Sequence, residues 1–434
     1  MTVAAVNLWG SRIGAVAIDS ESRAAVFQYE PDFVDSGIQV SPLVMPLRIE
    51  PYTFPTLNDV SFRGLPGLLA DSLPDRYGNA LIDTWLARQG RSPSSFDAVE
   101  RLCYIGQRGM GALEFAPGLG PQETTSKDID IDALVELASE VLTHRENLLG
   151  ALDDAHKEQT LRDILSIGTS AGGARAKAVI AWNPQTQIVR SGQIAAGPGF
   201  EYWLLKFDGV SGNKDKELED PKGYGAIEFA YFNMAQAAGI TMTNCRLLEE
   251  NGRRHFMTRR FDREPDGSKR HLQSLAALAH YDFNRAGSNS YEQALQVLRR
   301  LDLSMDAVEQ QFRRMVFNVI ARNQDDHVKN IAFLMNREGR WELSPAFDVT
   351  YAWRPSGAWT DRHQMSINGK RDDFSLDDFD RCADTASMKR GRARTIVDEV
   401  RAAVVEWPAF ASAARVDESD IARVQRGQRL QLHP

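Results

Sequence analysis

The sequence predicts an α+β fold, and three patterns carry that reading. Residues 3–60 alternate short apolar runs with turn residues. Residues 163–207 hold three further apolar runs around a loop of small residues. Beyond residue 275 the apolar positions recur at helical spacing. At 434 residues the chain has room for two or three domains and for a core that needs neither disulfides nor metal. Hydrophobic residues are 43% and charged residues 25%, which excludes fibrous and mostly disordered classes.

The first unit reads as small and β-rich: Val3–Leu8, Ile13–Ile18 and Val26–Tyr29 are strand candidates, followed by prolines at 42, 46, 51 and 55. From Gly67 the pattern turns helical, with Leu68, Leu69, Leu73, Leu81, Ile82, Trp85 and Leu86 on one periodicity. Gly106, Gly109, Gly111 and residues 118–127 punctuate the chain before a helix at 130–143. Asp163–Ile167 reads as a strand ahead of a small-residue loop. The runs Lys177–Trp182, Ile188–Arg190 and Tyr202–Phe207 read as strands, and residues 223–238 as a helix that stops at Gly239. Phe312, Met315, Val316, Val319 and Ile320 form a helical stripe ending in the polar loop Asn323–Asn330. Strands at Ile331–Leu334 and Trp341–Leu343, joined by a turn at Asn336–Gly339, lead to Ala346-Phe347-Asp348. This organisation predicts divisions at 1–130, 131–275 and 276–434.

A net charge of −8 and a pI near 5.6 exclude a protein that coats nucleic acid by itself, so any DNA contact needs a local patch. Cys103, Cys245 and Cys382 are too far apart for a metal or redox motif and suit a reducing compartment. No apolar run reaches the ~18 residues of a membrane helix, and the first 19 residues lack the basic-then-apolar order of a signal peptide. A cytoplasmic protein without membrane contact is expected.

Three features carry chemistry. The first is Gly168-Thr169-Ser170-Ala171-Gly172-Gly173-Ala174-Arg175. Glycine lets backbone approach a phosphate closely, and successive amide N–H groups then cradle it. Alone, such a loop is as often a plain surface turn. It is not the G-x-x-x-x-G-K-[ST] loop, since Ala178 follows Lys177, and the strand after it argues against a dinucleotide fold. A strand–loop–strand lid over phosphates is the protein-kinase arrangement.

The second is Lys206, inside the apolar run Trp203-Leu204-Leu205-Lys206-Phe207. Burying it unpaired would be costly, so it either snorkels from an edge strand or meets an acid. A kinase needs a strand lysine on the α/β-phosphates, oriented by a glutamate of the following helix, and Glu228 lies on such a helix. The third is the loop at 323–330, where Asp325 and Asn330 stand five apart and Asp348 follows one hairpin later. Phosphoryl transfer needs a carboxylate to take the hydroxyl proton and oxygen ligands for Mg²⁺. A single aspartate here reads as a turn cap; all three at this spacing, downstream of a lysine strand and a loop, read as a site.

Gly64-Leu65-Pro66-Gly67-Leu68-Leu69-Ala70-Asp71-Ser72-Leu73-Pro74-Asp75, Ser170–Lys177, Arg260-Phe261-Asp262-Arg263, Asp325–Asn330 and Phe347-Asp348-Val349 occur in that order. In these motifs, over nearly its whole length, the chain resembles the HipA family of bacterial serine/threonine-kinase toxins. The resemblance implies a protein-kinase-like, two-lobed α+β fold with an added small β-rich N-terminal subdomain and a mainly helical C-terminal lobe, using ATP and Mg²⁺. It implies Asp325 as catalytic base, Asn330 and Asp348 as magnesium ligands, and His327 against the γ-phosphate. Lys206, oriented by Glu228, would meet the phosphates, with Lys329 beside them. Gly172, Gly173, Ala174, Arg175 and Lys177 would form the phosphate loop. Thr258–Phe261 would be the hinge behind adenine, with Arg259 and Phe261 beside the base; the family often carries glutamate where this chain has Arg259.

The resemblance further implies autophosphorylation at Ser170, with Thr169 as second candidate, which would silence the kinase by putting negative charge where ATP phosphates bind. It implies a HipB-like helix-turn-helix antitoxin, operator DNA reached through that antitoxin, and a protein substrate such as an aminoacyl-tRNA synthetase. Lys389, Arg390, Arg392 and Arg394 form the one dense basic cluster; they read either as a solvated helix face or as a DNA-backbone patch. Rival readings are a small-molecule kinase and a nucleotide-binding scaffold that acts only through antitoxin and DNA.

Overall fold

The structure is a computed structural model and describes residues 2–19, 21–120, 128–143, 164–165, 175–210, 214–215, 218–219, 222–264 and 266–433. The N-terminal strands form a five-stranded antiparallel sheet in the order Tyr52–Thr53, Ala25–Tyr29, Ser11–Ile18, Val3–Leu8, Leu113–Ala116. Alternation along Val3–Leu8 and Ala25–Tyr29 puts Ala4, Val6, Leu8, Phe27 and Tyr29 on one face. Phe62 and Leu65, with Leu68 and Leu69 from the segment that reads as helical, pack beneath it.

A second antiparallel sheet runs Cys245–Glu250, Arg253–Arg259, Glu201–Lys206, Lys177–Trp182, Val189–Ser191. Lys177–Trp182 is buried throughout, as its unbroken apolar run requires. The helix Ile131–Thr143 packs on this sheet through Ile131, Leu134, Val135 and Ala138, together with Tyr77 and Leu81 of the helix Arg76–Arg88. The strand expected at Asp163–Ile167 is not observed: Ile164 and Leu165 are helical, and its other residues lie outside the described set. A short apolar run carries no period to separate strand from buried helix.

The C-terminal lobe is helical around one core. The helix Tyr224–Ala237 packs against Trp407–Ala413, and the stripe helix Met305–Ile320 against Tyr291–Arg300 and Arg392–Val405. Its phase is fixed from the start by Ser304, whose hydroxyl caps Ala307 N–H. A three-stranded sheet, His271–Ser274, Ala332–Met335 and Trp341–Leu343, carries the polar loop on one end. The expected α+β, two-lobed architecture with an N-terminal β-rich subdomain is thus observed. The subdomain docks closely on the C-terminal lobe: Gly67 N–H donates to His280 Nε2 at 3.0 Å, and a Cβ at Gly67 would lie 2.3 Å from the Ala277 carbonyl oxygen. Only glycine fits there. Among the described residues no helix is long and apolar enough to cross a membrane.

Candidate active site

Lys206 ends a central strand of the second sheet and reaches the cleft with its side chain 10% exposed. Its Nζ stands 2.5 Å from Glu228 Oε1 and also donates to Asp348 Oδ1. Burial works against the ammonium, but the Asp348 and Glu228 carboxylates outweigh it and raise the lysine pKa. Burial likewise opposes ionisation of Asp348. Lys206 first, then Lys177 and Arg175, overcome that and hold the carboxyl below the usual carboxylate range. The edge-strand, snorkelling alternative for Lys206 is excluded by this pairing. Asp348 itself adopts φ of +55°, a left-handed conformation that aspartate tolerates better than most residues.

The polar loop closes around the other side. Asn330 Nδ2 donates to the Asp325 carbonyl at 3.0 Å, which spans the loop and leaves the Asn330 amide oxygen as the group that could meet a cation. His327 Nε2 lies 3.9 Å from Asp325 Oδ1, and Lys329 Nζ stacks over the Phe283 ring at 4.9 Å. Asp325, His327, Lys329, Asn330, Lys206, Glu228 and Asp348 all line one cleft of about 520 Å³. That is ample for a nucleotide. Its apolar lining comes from Leu204, Met242, Phe256, Phe261, Phe347 and Val349.

ATP and Mg²⁺ fit this chemistry. An apolar slot lies beside a charged end holding an ammonium, an ionised carboxylate and an amide oxygen. Among the described residues no three His, Cys, Asp or Glu side chains cluster as a metal cage. Mg²⁺ asks for less, since it commonly takes one or two protein oxygens and completes its shell from phosphates and water. Thr258, Arg259 and Phe261, the segment expected behind adenine, line the cleft. The N–H groups of Arg259 and Arg260 are, however, already bonded to the Asn244 and Tyr202 carbonyls at 2.8 and 2.9 Å. The Arg259 side chain faces Glu201 at 3.9 Å.

Arg175 lies over the Tyr224 ring at 3.9 Å and 3.9 Å from Glu228 Oε2, at the base of the phosphate loop. Lys177 is buried and stands 3.2 Å from Asp75 Oδ2. Gly172, Gly173, Ala174, Thr169 and Ser170 lie outside the described residues. The basic cluster is far from uniform: Lys389 and Arg390 are exposed, but Arg392 bridges Glu309 and Glu399 and Arg394 pairs with Asp380.

Three partners of the site were assigned no role from the sequence, although Asp75 and Asp262 fall inside two of the motifs that carry the family resemblance. Asp75 caps the helix Arg76–Arg88 through Gly78 N–H as well as meeting Lys177. Asp262, fully buried, binds Arg260, Arg263 and Gly111 N–H, clamping the glycine loop of the N-terminal subdomain to the hinge. The two guanidiniums overcome burial and depress its pKa. Trp359 donates its indole N–H to Asp325 Oδ1 at 2.6 Å. The pairings of Asp75 with Lys177, Asp262 with Gly111 and Trp359 with Asp325 span large sequence separations, which periodicity does not register.

Comparison with known proteins places this cleft in a family. A chain of the Shewanella oneidensis MR-1 toxin–antitoxin complex of HipA, HipB and operator DNA matches with a TM-score of 0.68 at 18% identity, covering 98% of this chain and 95% of that one. The Helicobacter pylori proinflammatory kinase CtkA gives a TM-score of 0.30 at 12% identity, over 52% of this chain and 92% of that one, too slight a likeness to argue from. No curated protein matches. The model of the HipA N-terminal domain matches residues 4–116, which hold the first sheet and its packed helices. That of the HipA-like C-terminal domain matches 169–407, which hold the lysine strand, the polar loop and Asp348. With both domains matched in order around the cleft they build, the chain belongs to the HipA family.

Proposed function

We propose that the protein is a serine/threonine protein kinase, the toxin of a HipA/HipB-like pair. The observation that carries this reading is Lys206 bonded at once to Glu228 and Asp348, opposite Asp325 and Asn330 in one cleft. A merely structural buried lysine needs one acid; this one bridges two elements and holds Asp348 ionised. Mg²⁺, when bound, would neutralise charge developing on the phosphates during transfer. Asp348 and the Asn330 amide oxygen would hold it. Lys206 would hold the phosphates, helped by Lys177 and Arg175, with the expected phosphate-loop residues Gly172–Ala174 lying outside the described set, and His327 and Lys329 would act on the transferred group. Asp325 accepts the proton of the acceptor hydroxyl as the oxygen–phosphorus bond forms and the bond to the ADP oxygen breaks.

The acceptor under this reading is a protein hydroxyl, an aminoacyl-tRNA synthetase among the candidates, in the cytoplasm. A HipB-like antitoxin and operator DNA are the proposed partners, supported by the Shewanella complex. Phosphorylation of Ser170, with Thr169 second, would end activity by bringing like charge to the phosphate site. The domain divisions at 130 and 275 remain part of this proposal. The test is transfer of labelled γ-phosphate to proteins of a host lysate, beside Asp325→Asn. Transfer abolished in the variant, with ATP binding kept, is the expected result. Equal labelling by both proteins would overturn the assignment, and transfer only to small molecules would move the reading to a metabolite kinase.

A further inference from the structure

The segment 353–364, downstream of Asp348, returns over the polar loop and grips two consecutive carboxylates. Trp359 Nε1–H donates to Asp325 Oδ1 at 2.6 Å. One residue on, Asp326 accepts from Gln364 N–H, Tyr291 O–H and His363 Nδ1, each at 2.7 Å. The two grips are joined, because Gln364 Nε2 donates to the Trp359 carbonyl. Asp326 is 3% and His363 0% exposed, and neither lines the large cleft. The second carboxylate is therefore an anchor. The first lies in the cleft with its side chain 21% exposed.

We infer that Trp359 is a positioning residue that sets the Asp325 carboxylate for the incoming hydroxyl. This rests on the reading of Asp325 as the proton acceptor. An indole N–H donates and never accepts, so it orients the carboxylate without competing for the transferred proton. Because the donor is neutral, it adds no cation beside the base. Among the described residues, the titratable and charged groups around Asp325 include His327, 3.9 Å away, Lys329 on the same loop, and Lys206 and Asp348 lining the same cleft. On the strap, Asp361 and Arg362 pair with each other. The strap is tied down by Asp326 and Gln364, so the catalytic loop is held by built-in donors with no phosphate needed on the segment.

Trp359→Phe keeps the ring and removes the donor; Trp359→Gln restores a neutral N–H donor. Steady-state transfer is measured for both, beside Asp325→Asn. Trp359→Phe is expected to lower kcat about tenfold with the KM for ATP within about twofold. Trp359→Gln should restore most of the lost kcat. If Asp325→Asn is inactive while Trp359→Phe keeps its kcat, the inference about Trp359 fails and the kinase reading stands. If Asp325→Asn stays active, the base assignment fails instead. A Trp359→Phe protein that loses ATP binding along with kcat, and is not restored by glutamine, shows a packing role and also overturns the inference.

Discussion

Asp75 Oδ2 and Lys177 Nζ stand 3.2 Å apart, with neither side chain more than 6% exposed. Lys177 pairs in register with Lys206 on adjacent antiparallel strands, so the two ammonium groups share a face of the sheet. Like charges so placed repel. Glu228 and Asp348 compensate Lys206, and Asp75 compensates Lys177 from the N-terminal subdomain. The subdomain thus completes the charge balance of the cleft and is more than an appendage to it.

Removing one partner of this pair leaves an uncompensated buried charge. Asp75→Asn is expected to cost about 3–5 kcal/mol of folding stability, and Lys177→Met a similar amount. The double variant should cost clearly less than the sum, since an apolar side chain beside an amide buries no charge. Denaturant unfolding of the four proteins checks this. Additive losses would show that the two residues do not compensate each other.

Asp348→Ala should weaken ATP binding at least tenfold in Mg²⁺ and much less in EDTA. The carboxyl is held below its usual range by Lys206 despite burial, so it is ionised and ready for a cation throughout the physiological range. Lys206 keeps Glu228 in the variant, which preserves the metal-independent part of binding. Calorimetry in both buffers decides. The same loss in EDTA as in Mg²⁺ would make Asp348 a structural counter-ion only.

The parts of this site written in local order were legible in the sequence. Asp325 and Asn330 are five apart because one amide spans the loop to one carbonyl, and Lys206 stood out as a charge in an apolar run. What the sequence did not disclose depends on tertiary approach. Trp359 carries no signal until the strap folds back, and Asp75 is only the end of a motif until Lys177 arrives. The expected hinge segment Thr258–Phe261 shows the converse limit: it lines the cleft, but the neighbouring strands take the N–H groups of Arg259 and Arg260.

Acid should unfold the protein through its buried histidines. His255 Nδ1 accepts Asp208 N–H at 2.9 Å and His280 Nε2 accepts Gly67 N–H at 3.0 Å, both of which need a neutral ring. Burial lowers both pKa values to about 4. Below pH 6.5 the unfolded chain takes protons the folded chain refuses, so stability is full above 6.5 and falls as pH drops toward 4. Each ring contributes roughly 3 kcal/mol at most over that window. His255→Asn and His280→Gln keep an acceptor near each donor and should flatten the loss. Unfolding midpoints between pH 7 and 5 that fall as steeply in the double variant as in the wild type would refute the assignment.

The basic cluster yields the last prediction, and its ion pairs sharpen it. Arg392 is committed to Glu309 at 2.8 Å and Glu399 at 3.1 Å, and Arg394 to Asp380 at 2.8 Å. An arginine already neutralised by carboxylates displaces few counterions from DNA, whereas Lys389 and Arg390 are exposed just ahead of the helix Arg392–Val405. If the cluster touches operator backbone beside an antitoxin, Lys389→Ala with Arg390→Ala should carry the effect. The salt slope of complex–DNA binding should then shallow by about one unit for each phosphate no longer neutralised. Arg392→Ala should instead lower stability, because it removes the pairs to Glu309 and Glu399, of which Glu399 keeps Arg313, and should leave the slope nearly unchanged. Binding isotherms from low to physiological salt separate the two. A slope unmoved by the Lys389–Arg390 double variant would return the whole cluster to a solvated helix face.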